Sequence, residues 1–469
     1  MDIQQAHTYI DTIQKQGNVL GRKLLRKLLE NLGSPQEKLP IVHVAGTNGK
    51  GSTIAFLEEI LRQAGYKTGR YVSPTVFGYL ERFQINGVWM PEETFAELVT
   101  ELAPYVEQVN ADYRAEGGAG NAEQEQIEKP VDAVSVGPHG GLTAYEIETA
   151  MAFLYFQREN CDIVLLETGL GGMEDATNVA SHVLCSVITA IGLDHTRILG
   201  DTIGKIASVK AGIIKPGCPV VVSGENQEGD KQAALEAILA YADKQKAPVV
   251  VTAPHRIRDY TAEPEKQYFS YETKEGTVYR HLTISLNGRF QLNNCINALE
   301  VIEILRKKGY NISNEQIEKA LPLTCWQGRI SKLGERPDFY VDGAHNPDAV
   351  RVLRDFVETY FKEKKIIFII GVLGDKAYDK MLKTIVPLAD FVIATQPDNP
   401  RSMPATELAE VISKLGVRVE RAASVAEGVE IALEMAKQWS QQDSVIFAFG
   451  SLYYLGDVKA AYEQQEEQR

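Results

Sequence analysis

The sequence has no C-x-x-C, and its five cysteines (Cys161, Cys185, Cys218, Cys295, Cys325) are odd in number and far apart. That spacing excludes a disulfide framework or a cysteine-rich zinc cage and suits reduced thiols filling a core. No apolar run approaches the ~20 residues of a membrane span; the longest lies near Ile366–Ile370. The opening MDIQQAHTYIDTIQKQ lacks the basic-then-apolar layout of a signal peptide, so a cytoplasmic protein with no membrane partner is expected. Positive charge is also scarce. A formal net charge of −14 leaves no footprint for nucleic acid, although a local basic pocket for a small anion is compatible with it.

What the chain does have is the alternation of short β-branched runs with longer amphipathic ones that marks a parallel sheet wrapped by helices. With 469 residues, 44% hydrophobic and 24% charged, there is room for two or three domains. In the first part, strands are expected at 40–45, 69–72, 162–167, 183–191 and 219–223, with a helix over 143–157. In QLNNCINALEVIEIL, residues Leu292, Ile296, Leu299, Ile302 and Leu305 share one helical face. Residues 253–290 read as an antiparallel hairpin appended to the main sheet, and the glycine-rich 115–141 as a surface insertion. The rhythm restarts near 323, with strands at 338–342, 366–371, 391–395, 417–421 and 444–449. That order is Rossmann-like, though no G-x-G-x-x-G follows its first strand. Two α/β units, 1–323 and 324–469, would leave a cleft between them.

The richest stretch is HVAGTNGKGST, residues 43–53. It misses the strict phosphate-loop pattern, with Val44 and Gly51 where Gly and Ser or Thr are wanted. The physics survives: a helix starting near Ser52 aims backbone N–H groups and its dipole at one point, and Lys50 adds a charge. A plain glycine-rich turn is the alternative. IVLLETGLGGMEDATN ends a strand at Glu167, at the edge where α/β proteins bind ligands. A carboxylate there suits Mg²⁺ or is simply solvated. VITAIGLDHT brings Asp194 and His195 to the same edge. On its own residues Lys210 is a solvated surface lysine. In the second unit DFYVDGAHNPDA puts Asp342 at a strand end, His345 and Asn346 in the turn, and Pro347 at a helix start. Arg329 stands at the junction and Gly450-Ser451 at the last strand's end; singly, each is as readily structural.

In order, AGTNGKGST, VSP, ERFQING, LTAYE, ETGLGG with DATN, LDHT, DTIGKIASVKAGIIKPG, GRF with NALE, WQGR, DGAHN, GVLGDK and FGSLYY resemble the folylpolyglutamate synthase and dihydrofolate synthase family, relatives of the Mur ligases. The likeness runs from about residue 15 to 460. It implies a P-loop ligase domain of the Mur central-domain type followed by a Rossmann-like glutamate-ligase domain. ATP would sit on Gly46, Thr47, Asn48, Gly49, Lys50, Gly51 and Ser52, with Asn297, Arg329 and Asp342 also on the nucleotide. Ser73, Glu167 and His195 match magnesium ligands, with two metal sites implied. Lys210 matches a lysine carrying CO₂ as a carbamate. His345 and Ser451 match residues of the incoming glutamate's site. Thr143, Ala144, Tyr145, Glu174, Asp175 and Ala176 match contacts of the pterin substrate.

The resemblance implies a monomeric ligase joining L-glutamate to a folate tail, or to dihydropteroate, through an acyl phosphate. Two departures fall at the pterin end: Ser73-Pro74-Thr75-Val76 replaces S-P-H-L, and Gly171-Gly172-Met173-Glu174-Asp175 replaces G-G-R-L-D. The insertion is the third. The competing expectations are a Mur-type ligase for another acid and a nucleotide-gated binding protein.

Overall fold

The computed structural model describes residues 1–14, 22–116, 141–227, 229–375, 377–441 and 443–467. The protein is α/β throughout, built on two parallel sheets and a small antiparallel one. The first sheet uses β1 (Ile41–Ala45), β2 (Thr68–Tyr71), β3 (Phe83–Ile85), β4 (Val88–Trp89), β5 (Ile163–Glu167), β6 (Val183–Ile188), β7 (Val220–Val222) and β8 (Val249–Val251). Their order is β4-β3-β2-β5-β1-β6-β7-β8, parallel except for the β2–β3–β4 edge. β1 is central, between β5 and β6, so the chain leaves its C-terminal end at a switch point with neighbours on both sides.

The antiparallel sheet holds β9 (Ile257–Glu263), β10 (Lys266–Glu272) and β11 (Val278–Ile284). Here an expectation fails. Residues 253–290 give three strands rather than a hairpin, and they form their own sheet. Phe269, Tyr271, Tyr279, Leu282 and Ile284 instead cover the helix Phe290–Lys307, whose Leu292, Ile296, Leu299, Ile302 and Leu305 are all buried.

The second large sheet contains β12 (Ser331–Glu335), β13 (Asp338–Asp342), β14 (Lys365–Ile370), β15 (Phe391–Ala394), β16 (Val419–Arg421) and β17 (Ser444–Phe449), in the order β12-β13-β17-β14-β15-β16. Only β12 runs antiparallel, and its mixed polarity kept it out of the sequence reading. Aliphatic runs such as Ile366–Ile370 are buried on both faces, as a helix-covered parallel strand must be. The strand expected at 183–191 stops at Ile188, where the chain turns toward the site. The helix expected over 143–157 spans Ala144–Arg158. The insertion's first two residues, Ala115 and Glu116, end and cap the long helix Glu92–Ala115; residues 117–140 lie outside the described residues. Among the described residues, no helix is long and apolar enough to cross a membrane.

Candidate active site

The loop between β1 and the helix Lys50–Gln63 sits against the end of β6. Thr47 and Asn48 N–H both donate to the Ala190 carbonyl (2.9 and 3.1 Å), and the Thr189 hydroxyl donates to the Asn48 carbonyl (2.8 Å). Thr47 and Gly192 exchange hydrogen bonds, hydroxyl to carbonyl at 3.2 Å and N–H to hydroxyl at 3.1 Å. These bonds brace the loop against the segment after β6. Gly49 caps the helix at φ +91°, a conformation only glycine adopts cheaply, with the Asn294 amide where a Cβ would be. The helix starts at Lys50, two residues earlier than expected, which places Gly51 and the buried Ser52 in its first turn. A Cβ at Gly51 would strike the Trp326 indole. That contact explains why the usual hydroxyl residue is missing: an aromatic ring from the junction fills its space.

Two lysines converge on one oxygen. Lys50 Nζ donates to the Gly46 carbonyl at 3.2 Å and lies 3.6 Å from Glu167 Oε1, while Lys210 Nζ donates to the same carbonyl at 2.7 Å. Lys210 is 6% exposed. The surface lysine suggested by its own residues is therefore wrong: the helix Ile203–Ala211 points it inward. Burial first, and then Lys50, bring its pKa down to about 7, against the pull of Asp194, Asp175 and Glu167. Burial pushes the Glu167 carboxyl upward, while Lys50, Arg329 and the Ser73 N–H pull it back.

Facing this edge across the gap is the end of β13. Asp342 accepts from the Ile330 and Ala344 N–H groups, both at 2.8 Å, and Arg329 lies beside it and opposes its burial-raised pKa. His345 Nδ1 donates to the Gly343 carbonyl (2.7 Å) in the tautomer that leaves Nε2 free, and Nε2 is 3.8 Å from Asp194 of the first edge. His195 Nε2 is also 3.8 Å from Asp194, so one carboxylate stands between two imidazoles. Asn346 Nδ2 donates to Asn48 Oδ1 (3.3 Å), joining the two edges directly. A cavity of about 570 Å³ opens beside this gap, lined by Cys325, Trp326, Arg329 and Lys332 among others.

The residues matched to the pterin subsite separate into two groups. Asp175 is buried and accepts from Leu170 N–H (2.7 Å), Thr177 N–H (3.0 Å) and the Thr177 hydroxyl (2.5 Å), which folds the 168–178 segment. Tyr145 and Ser73 bury hydroxyls that make no well-formed hydrogen bond among the described residues. Ala144 and Ala176 are buried. Thr143 is committed to a capping box with Glu146, and Glu174 reaches outward to Arg22 at 3.3 Å. Ser451 caps the Leu452–Tyr454 turn by accepting from Tyr453 N–H (3.2 Å). Asn297 accepts from Thr252 (3.2 Å) and keeps a buried Nδ2 with no partner among the described residues. Sequence reading gave no role to Thr189 or Asn294 and missed the bridging role of Asn346; Thr189 and Asn346 lie inside quoted motifs, but their contacts join segments far apart in sequence.

Comparison with known proteins fits this geometry. Residues 328–452 match the family described as Mur ligase, glutamate ligase domain. A dihydrofolate synthase/folylpolyglutamate synthase of Bacillus subtilis is 33% identical over 464 residues, covering 97% of this chain and 98% of that one. The chain belongs to the folylpolyglutamate synthase and dihydrofolate synthase family. A folylpolyglutamate synthase of Lacticaseibacillus casei is 29% identical over 86% of this chain and 88% of its own. Among solved members, the Mycobacterium tuberculosis folylpolyglutamate synthase complexed with ADP and AMPPCP superposes with a TM-score of 0.84 at 25% identity, covering 99% of each chain. The Escherichia coli FolC in complex with DHPP and ADP gives 0.80 at 26%, covering 99% of each. The family thus has members holding nucleotide on this fold.

Proposed function

We propose that the protein is an ATP-dependent ligase that adds L-glutamate to the γ-carboxyl of a reduced folate's glutamate tail, and to dihydropteroate. The observation that carries this reading is the half-buried Lys50 gathered with the buried Glu167 and Lys210 at the glycine-rich loop, with His345 3.8 Å from Asp194 and Asn346 on Asn48 across the gap. A carboxylate is a poor electrophile. Its oxygen attacks the γ-phosphorus of ATP, ADP departs, and the acid becomes an acyl phosphate. Lys50 stabilises charge on the moving phosphoryl group. The glutamate α-amine then attacks the carbonyl carbon, and the tetrahedral species expels phosphate as the nitrogen sheds its proton.

His345 Nε2, left as an acceptor by its Nδ1 bond, suits holding that amine. Gly46–Ser52, Asn297, Arg329 and Asp342 would bind the nucleotide, and Ser451 would set the turn that receives the glutamate. The Ser73 hydroxyl, buried without a well-formed hydrogen bond among the described residues, and the buried Glu167 carboxylate fit Mg²⁺, which prefers oxygen ligands, and His195 is the third candidate. Among the described residues no group of three or more His, Cys, Asp or Glu could hold a metal ion, so most other ligands would come from phosphates and water. The ion would screen phosphate charge. At a pKa of about 7, Lys210 offers a neutral amine that can add CO₂; one N–C bond forms, one proton leaves the nitrogen, and the neutral amine becomes an anionic carbamate. Asp175, Tyr145, Ala144 and Ala176 would wall the pterin end, shaped by the Thr143 cap.

A second reading, amide ligation of a different acid, draws on the Arg22–Glu174 pair at that end. One assay separates them. Protein, MgATP and glutamate are incubated with dihydropteroate and reduced folates in parallel, and products are read by mass. A mass gain of one glutamyl residue on a folate is expected. Glutamate-dependent phosphate release that ignores every pterin acid would favour the second reading.

A further inference from the structure

Of the groups at the gap, Asp194 is the one that the proposed reaction leaves without a task. Its place is fixed from the phosphate loop, because Gly192, just before it, exchanges hydrogen bonds with Thr47. Asp194 Oδ1 accepts from the His195 N–H at 2.9 Å, which orients the carboxylate. Oδ2 then lies 3.8 Å from His195 Nε2 on its own edge and 3.8 Å from His345 Nε2 on the other. The side chains of Asp194 and His345 are 15% and 25% exposed, so the space between them is open to a solute.

The facing of Asp194 and His345 calls for a third group. Nδ1 of that imidazole donates to the Gly343 carbonyl, so Nε2 of the neutral ring presents a lone pair. A lone pair thus faces a carboxylate oxygen, acceptor against acceptor, at a separation beyond a hydrogen bond. A nitrogen about 2.9 Å from each would span that separation and donate to both. A cationic nitrogen fits best, because one of the two acceptors is an anion and charge-assisted bonds are the stronger ones.

We propose that Asp194 Oδ2 and His345 Nε2 together hold the α-ammonium of the incoming glutamate, Asp194 through its charge and His345 through its lone pair. The proposal deepens the ligase reading and rests on it. Two of the three N–H groups are engaged in this way. Loss of the third proton to water leaves a lone pair, which forms the bond to the acyl carbon. Both acceptors are set from neighbouring residues of one loop: Thr47 anchors the segment carrying Asp194, and Asn48 meets Asn346, next to His345. Amine and phosphate are therefore placed by the same loop. Asp194 is also near enough to Lys210 to oppose the fall in its pKa, which sets the amine beside the reacting centre. Asp194 is then the member of the first edge that serves the amine.

The test compares L-glutamate with (S)-2-hydroxyglutarate, which keeps both carboxylates and has a hydroxyl where the ammonium was. In wild type the hydroxy acid should inhibit ligation with a Ki roughly tenfold above the KM for glutamate, the scale of a hydrogen bond to a charged group. A hydroxy acid that binds as well as glutamate overturns the proposal without any variant. Asp194→Asn keeps an acceptor for the His195 N–H and removes the charge. It should raise the KM for glutamate on the order of tenfold and leave the Ki of the hydroxy acid nearly unchanged. An unmoved KM overturns the proposal. So does equal weakening of both ligands, which would make Asp194 a latch on a protonated His345. If no folate is ligated at all, the functional reading falls. Both acids are then titrated calorimetrically into the two proteins with MgADP; the same preference and its loss in Asp194→Asn support the site, and equal binding or none overturns it.

Discussion

The two large sheets bring different chemistry to one gap. The edge of the first is made of charge: Lys50, Glu167, Lys210 and Asp194 crowd around the Gly46 carbonyl and the loop that follows it. The edge of the second is quieter. Its acid, Asp342, is tied down by two backbone N–H groups, and His345, Asn346 and Ser451 offer hydrogen-bonding groups. The contrast suggests a division of labour, with phosphoryl transfer on the first edge and placement of the amine on the second. Damage to the first edge, Asp194 apart, should then appear in kcat, and damage to the second in KM.

The largest effect should come from Lys50→Met, which removes the full charge at the loop. Glutamate-dependent phosphate release should fall on the order of 10³-fold in kcat, and near-normal turnover would erase the contrast. Next, Lys210→Ala should lower kcat by roughly 10²-fold, with partial recovery when short carboxylic acids are added. In the wild type, activity should climb as pH rises through about 7, where the amine loses its proton and can take up CO₂. The same group tilts stability. Between about 7 and the ordinary lysine value the unfolded chain binds the extra proton, so stability rises with pH across that window. Denaturant melts at several pH values should show that rise flattened in Lys210→Met.

On the second edge, His345→Ala should raise the KM for glutamate roughly tenfold and change kcat less, the scale of one lost charge-assisted hydrogen bond; the reverse pattern would move His345 to the reacting centre. The smallest effect belongs to Asn346→Ala. Asn346 Oδ1 accepts from Ala349 N–H at 2.9 Å to cap the helix Pro347–Tyr360. Its loss should cost about 1 kcal/mol, visible as a thermal shift of a few degrees.

Much of this was legible in the sequence because it is local. Strand-ending aliphatic runs fixed Glu167 and Asp342 at sheet edges, and the proline after Asn346 marked a helix start. What was illegible depends on tertiary neighbours. Lys210 has the local pattern of a surface lysine, and only the packing of its helix against β1 and the 168–178 segment buries it. β12 escaped because Lys332, Gly334 and Glu335 have no strand periodicity, its pairing with β13 being set by register. Residues 257–284 looked like an appendage to the main sheet because alternation reveals a buried face without revealing what buries it. Arg22 and Lys215, 193 positions apart, meet at the Asn178 carbonyl of a third segment, which no spacing rule reports.

The indole resting on the phosphate loop has a consequence for how this chain can change over time. Trp326 occupies the volume that any side chain at position 51 would need, so the two positions are free to vary only together. A serine could enter at 51 once the junction had surrendered its tryptophan, and Arg70, stacked 5.1 Å from that ring, would lose its platform in the exchange. Glycine at 51 is in this sense inherited from the joint between the lobes.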